Sequence, residues 1–272
     1  MTINLMYHDV TPYGADDESG FAGPDAARYK LTPTEFSRHL DRLATVVRRV
    51  PKAEVVGGPA MPDDWTITFD DGGLSSATII ADELERRGWR GWFFISTDFI
   101  GRPAFCDRDQ LRELHRRGHV IGSHSCSHPE RISNCSREQL LDEWSRSCDV
   151  LASLIGQPVT SASVPGGFYS LEVAQVAARA GIKWLFNSEP TTHEYTVDGC
   201  TILGRYNIYR GMSAADAATL VSSPLRRWRQ SAFWNAKKAA KTVAGPVYKA
   251  IRLQLLRRAY ITNKALTSRR MK

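Results

Sequence analysis

A chain of 272 residues, 42% of them apolar, can build one sizeable domain with its own core, and no run approaches the roughly 18 apolar residues of a spanning helix. Charge is split along it: residues 1–224 carry 22 Lys/Arg and 29 Asp/Glu, whereas residues 225–272 carry 14 Lys/Arg and no acid, so the net +7 belongs to the C-terminal segment. Cys106, Cys126, Cys135, Cys148 and Cys200 lack CxxC spacing, which argues against a disulfide framework, and no apolar leader follows Met1; the expected location is cytoplasmic, with the inner face of the membrane in reach of the basic segment.

Strands and helices alternate. INLMYH (3–8) reads as a buried strand, and TPTEFSRHLDRLATVV (32–47) as a helix with Phe36, Leu40 and Leu43 on one face. WTITF (65–69) is a strand, LSSATIIADELERRG (74–88) a helix ended by Gly88, and WRGWFFIS (89–96) a strand. DRDQLRELHRRG (107–118) is a helix capped by Asp107, HVIGSH (119–124) a strand, and 136–156 a helix opening on the capping pattern Ser136-x-x-Gln139. TSASV (160–164), a helix over 170–181, IKWLF (182–186), TILGRYNI (201–208) and a short helix near 213–222 follow. The alternation predicts parallel strands with helical crossovers. His8, Asp70, Asp71 and His124 fall at strand ends, which favours a β/α barrel over an open doubly wound sheet. No GxGxxG or GxxxxGK[ST] follows a strand. The long loop 11–32 follows the first strand and is expected over the barrel mouth, either as plain surface or as a substrate cover.

Two motifs carry chemistry. In TFDDGG, neighbouring carboxylates would point to opposite faces inside a strand, but at a strand end Gly72 and Gly73 let the chain turn, so Asp70 and Asp71 can border one pocket. The structural alternative is a helix cap plus a turn acid. In SHSCSHP, His124 and His128 are spaced for two imidazoles on one side of a turn, against the alternative of two surface histidines. Together, one Asp and two His leave coordination positions open, as catalytic metals require, and the second acid is a natural base. His39, His115 and His119 read as structural, and Cys126 as packed beneath the histidine loop.

TFDDG (68–72) followed by SHSCSHP (123–129) resembles the polysaccharide deacetylase family (NodB homology, carbohydrate esterase family 4), over most of residues 1–215. The resemblance implies an α/β fold, a distorted (β/α)7 barrel, and metal-dependent removal of N- or O-acetyl groups from glycans, in bacterial exopolysaccharide or cell-envelope synthesis. It implies Asp70 as general base and Asp71, His124 and His128 as ligands of a divalent metal: zinc, or cobalt or nickel. SVPGGFYS (163–170) matches the third motif, with Pro165, Gly166 and Gly167 shaping it and Phe168 or Tyr169 offering a backbone N–H to the oxyanion. LMYHDV resembles a branch with a histidine on the first strand, which makes His8 the candidate acid or positioning group. The chain departs from the family twice: Val164 stands near the third-motif position of the base-orienting arginine, and no Leu-x-His motif follows. Arg205 and Arg210 are candidates to steady the base or an anionic substrate, against a plain surface role. The departures keep open a glycan-binding protein of impaired activity, and the likeness also admits deformylation of a lipid-linked aminosugar.

The expected division is a deacetylase barrel over 1–223 and a basic helical extension over 224–272. Taken as a helix, 225–241 aligns Leu225, Trp228, Ala232, Ala236 and Ala239 on one stripe, with the Lys and Arg on the other side. That suits an anionic membrane contacted through 225–261, or a helix packed on the barrel with a solvated basic face. No nucleic-acid reading motif accompanies the charge.

Overall fold

The computed structural model describes residues 2–47 and 65–236. The expected membrane segment therefore lies partly, and its 247–261 portion wholly, outside the described residues. Chain order is β1 (Ile3–Tyr7), α1 (Pro24–Ala27), α2 (Pro33–Ala44), β2 (Trp65–Phe69), α3 (Ala81–Glu85), β3 (Trp92–Ile95), α4 (Arg108–Arg116), β4 (Val120–Ser123), α5 (Arg137–Ile155), β5 (Ser161–Ser163), α6 (Leu171–Arg179), β6 (Trp184–Phe186), β7 (Tyr195–Val197), β8 (Cys200–Leu203), β9 (Tyr206–Asn207) and α7 (Ala214–Ser222).

The sheet order is β7-β8-β6-β5-β4-β3-β2-β1-β9, parallel except for the β7–β8 hairpin. β8 pairs with β6 while β9, two residues further on, pairs with β1. One broken strand, 200–207, thus touches both ends of the parallel series and closes the distorted barrel. The expected single strand 201–208 is split at Gly204, where a Cβ would stand 2.5 Å from the carbonyls of Glu189 and Thr191.

Alternation along the strands sorts residues into two layers. Leu5, Tyr7, Ile67, Phe69, Phe93, Ile95, Ile121, Ala162 and Leu185 join the helices in the main core. Trp92, Phe94, Phe186 and Leu203 form a second, smaller cluster inside the barrel. The same alternation brings His8, Asp70, His124, Ser163 and Arg205 to the inner side at the C-terminal ends of β1, β2, β4, β5 and β8. Capping boxes start α2 (Thr32/Glu35), α4 (Asp107/Gln110) and α5 (Ser136/Gln139), so each helix satisfies its own orphan N–H groups. The expected helix 74–88 is shorter and begins with a π-turn over Ser76–Ile80, just after the paired acids.

A helix runs through 224–236, and its polar side meets the barrel. Gln230 Nε2 donates to Asn207 O at 3.0 Å, Ser231 Oγ donates to Pro190 O, and Arg227 donates to Leu220 O at 2.8 Å. The helix thus packs on the barrel, but not with the expected solvated basic face: Arg227 turns inward while Leu225 and much of Trp228 stay exposed.

Candidate active site

β2 delivers Asp70 inward by ordinary strand alternation. Asp71 would point outward, but its φ of 79° and Gly72's of 82° take the chain out of the strand and swing the second carboxylate to the same side. Asp70 is 4% exposed and Asp71 7%. The histidine loop is bent likewise, with Ser125 at φ 64° and His128 at φ 52°. Glu143, a buried acid on α5, clamps that loop by accepting from Cys126 N at 2.8 Å, Ser127 N at 2.9 Å and Ser127 Oγ at 2.5 Å. Cys126 packs beneath the loop as expected, and burial pushes its thiol up to about 11.

Asp71, His124 and His128 each offer one ligand atom, all within 4.8 Å of one another. His124 Nε2 lies 3.4 Å and His128 Nε2 3.7 Å from Asp71 Oδ1. His124 Nδ1 faces Ser163 Oγ at 2.5 Å and Ser163 O at 3.1 Å, which places its proton on Nδ1 and leaves the Nε2 lone pair toward Asp71 and His128. Burial holds the His128 imidazole below its ordinary value against the pull of Asp71. Two imidazoles beside a carboxylate are the donor set a divalent transition metal takes, so the residues fit such an ion.

Asp70 stands beside this set, bound to Arg205. Arg205 is fully buried, and its Nη1 and Nη2 donate to Asp70 Oδ1 and Oδ2 at 2.7 Å each. The guanidinium also donates to Thr68 Oγ1 at 3.1 Å and Asn187 O at 3.0 Å, and its cation lies 5.7 Å above the Phe94 ring. Burial alone would raise the Asp70 carboxyl; Arg205, with His124 and His8, outweighs it and holds the carboxyl below its ordinary value. Burial likewise opposes ionisation of Asp71, and its contacts with His124, His8 and His128 outweigh burial and hold that carboxyl below its ordinary value. Arg205, from the break between β8 and β9, thus fixes the orientation of Asp70 on β2. Arg210 does not reach the acids: it donates to Asp16 and to Lys30 O, anchoring loop 11–32, because it lies beyond the end of β9.

His8 is half-buried at the end of β1, its ring 4.6 Å from that of Tyr29. Its Nδ1 is buried without a hydrogen-bond partner in the described protein. In the third motif, Pro165 is buried and Gly166 and Gly167 take φ of 60° and 70°. Gly167 N–H closes on Val164 O at 3.2 Å and Phe168 N–H on Pro165 O at 3.3 Å, so Phe168's donor is engaged in the turn; Tyr169 N–H takes no part in it. The Phe168 ring lies 4.7 Å beneath the Arg131 guanidinium, and the Tyr169 ring meets Tyr195 edge-on at 6.5 Å.

Loop 11–32 does cover the site: Phe21 packs 4.6 Å from the His128 ring. It is pinned rather than loose. Lys30 Nζ is buried and donates to Asp16 O, Ser19 O and Phe21 O at 2.5, 2.6 and 2.6 Å. Ser19 Oγ donates to Asp9 at 2.6 Å. His39 and His119 are structural, as expected, bonded to Met212 O at 2.9 Å and Glu85 at 2.9 Å. Ser163, Glu143, Lys30 and Phe21 were not legible as site residues. Only the mid-helix acid in LLDEW and the lysine in a mostly acidic loop set them apart in the sequence.

Comparison with known proteins bears on the family and the fold. Residues 57–185 match the family described as polysaccharide deacetylase, and they belong to it. The chain is 28% identical over 174 residues to the peptidoglycan-N-acetylglucosamine deacetylase of Listeria monocytogenes, covering 62% of this chain and 35% of that one. It is 26% identical over 176 residues to a chitin deacetylase of Arthroderma benhamiae, covering 63% and 46%. The chain spans about half the length of the curated relatives it matches. The Streptococcus pyogenes deacetylase solved with acetate has the same fold, with a TM-score of 0.64 at 19% identity over 78% of this chain and 94% of that one.

Proposed function

We propose that this chain is a metal-dependent hydrolase that removes an N-acetyl, or O-acetyl, group from a carbohydrate. The observation that carries the reading is one pocket wall holding two differently prepared carboxylates: Asp71 with His124 and His128, and Asp70 locked to Arg205.

A divalent cation held by Asp71, His124 and His128, with zinc first and cobalt or nickel next, would polarise the acyl carbonyl and acidify a water. Asp70 takes the proton of the attacking water. Its Oδ1 already accepts from Arg205 and Ser163, whereas among the described residues Oδ2 accepts from Arg205 alone, which leaves Oδ2 the freer oxygen for that proton. Arg205 fixes the carboxylate plane and keeps it ionised, while the Tyr169 N–H is the third-motif donor left for the developing oxyanion. His8, unpaired at Nδ1 and close enough for its charge to act on both acids, gives a proton to the leaving amine. The relatives' names put chitin-like and peptidoglycan-like glycans first among substrates, and bacterial envelope or exopolysaccharide synthesis is the setting we assign.

The reading is tested by acetate release from N-acetylglucosamine oligomers and peptidoglycan fragments, with formate assayed in parallel on N-formylated aminosugars. Activity that chelation removes and zinc or cobalt restores supports it. Full activity in protein shown by elemental analysis to be metal-free would overturn it.

A further inference from the structure

The helix over 224–236 is inside out for a helix docked on its own barrel. Surface helices normally bury their apolar stripe and solvate the polar one. Here Gln230 and Ser231 carry the contacts to the barrel, and Arg227 donates to the last carbonyls of α7. Leu225, on the opposite face, is 58% exposed and Ala232 continues that face, while Trp228, 65% exposed, stands on the flank of the helix, where it also lines a cleft with Thr191, Tyr206 and Ser231. The anchoring partners are Pro190, in the loop after β6, and Asn207, at the end of β9. Together with Tyr206 these contacts seat the helix over β9 and the loop after β6.

We infer that this face is a docking surface for an anionic lipid bilayer, with Leu225 and Trp228 entering the headgroup–acyl boundary. Charge complementarity selects this occupant. Arg229 lies on the outward face, and residues 225–272 carry 14 Lys/Arg and no acid. Each basic group near an anionic surface attracts, and an indole is suited to the boundary it would enter. The barrel carries the opposite sign, with 22 Lys/Arg against 29 Asp/Glu over residues 1–224, so a negative surface favours the helix side over the rest of the molecule. A basic stretch alone would give attraction without insertion; the exposed Leu and Trp add the apolar contact that interfacial binding requires.

The test is co-sedimentation of the full chain with large unilamellar vesicles of phosphatidylcholine and phosphatidylglycerol, against phosphatidylcholine alone. A Leu225→Ser/Trp228→Ser double variant keeps every basic residue, and circular dichroism and its rate on a soluble glycan check its fold. The wild type binds the anionic vesicles, and the double variant loses about tenfold or more in partitioning. Trp228→Phe restores most of the binding. Equal binding of wild type and double variant would overturn the inference, because charge alone would then suffice. So would a wild type that ignores vesicles but binds duplex DNA, or one whose dimer the double variant converts to monomer. The readout is binding, so its failure leaves the reading of the metal and acid residues untouched.

Discussion

Arg205 and Asp70 lie 135 residues apart in sequence and meet as a two-pronged pair, 2.7 Å at each oxygen, both removed from solvent. The pair works on two levels. A buried carboxylate is costly unless a partner compensates it, and a base must hold one orientation to be useful. Arg205 meets both needs, with Thr68, Asn187 and Phe94 holding it in turn.

Replacing Arg205 by Met should therefore damage rate and stability together. Burial then acts on Asp70 with its main opponent gone and its carboxyl rises, so the acid limb of kcat/KM moves to higher pH. The stability that the depressed carboxyl contributes, present at neutral pH and lost as pH falls through the folded value, goes as well. A loss of about 3 kcal/mol fits the opening of a buried pair, together with a rate loss of roughly a hundredfold or more. Arg205→Lys keeps the charge but not the fork, and should recover stability further than rate.

His8→Gln should lower the rate on amide substrates by about a hundredfold. Activated acetyl esters, whose leaving groups need no proton, should be hydrolysed by the variant nearly as well as by wild type. Equal losses on both substrate classes would contradict a proton-donor role.

The elements legible in the sequence are those with local causes. Capping at Asp107 and Ser136, the TFDDGG turn and the HxxxH loop are each written within a few residues, and the structure carries all of them. Arg205 was legible only as a candidate, equally matched by Arg210. What separates them is the break at Gly204, which turns one arginine into the barrel and leaves the next outside. That break follows from close approach to the Glu189 and Thr191 carbonyls, a contact between distant segments that no local pattern records. The C-terminal helix was legible as amphipathic, but which face meets the barrel depends on carbonyls of Asn207, Pro190 and Leu220.

His119 offers a prediction independent of chemistry. Gly91 N–H donates to its Nδ1 at 3.1 Å, so that nitrogen must be unprotonated, and burial lowers the imidazole to about 4 despite Glu85. The unfolded chain then binds more protons than the folded one between about pH 6.5 and that value, and stability falls as pH falls through this window. Urea unfolding from pH 7 to pH 4 should show a loss of roughly 2–3 kcal/mol that His119→Gln reduces.

Gly73→Ala should destabilise the site from below. Its Cβ would stand 2.0 Å from Asp9 Oδ1 and 2.7 Å from Gly20 N, pushing apart the contact that pins loop 11–32. A loss of about 2 kcal/mol in thermal unfolding is expected, with faster proteolysis at loop 11–32.

The division of labour between the two acids is tested most directly by Asp70→Asn, in one preparation assayed for bound metal and for acetate release. The asparagine keeps the shape while removing the base, and Asp71, His124 and His128 are untouched. The predicted result is wild-type metal content with acetate release reduced by about a thousandfold or more. Retained activity, or metal lost with the base, would contradict the assignment of Asp70 to the water and Asp71 to the metal.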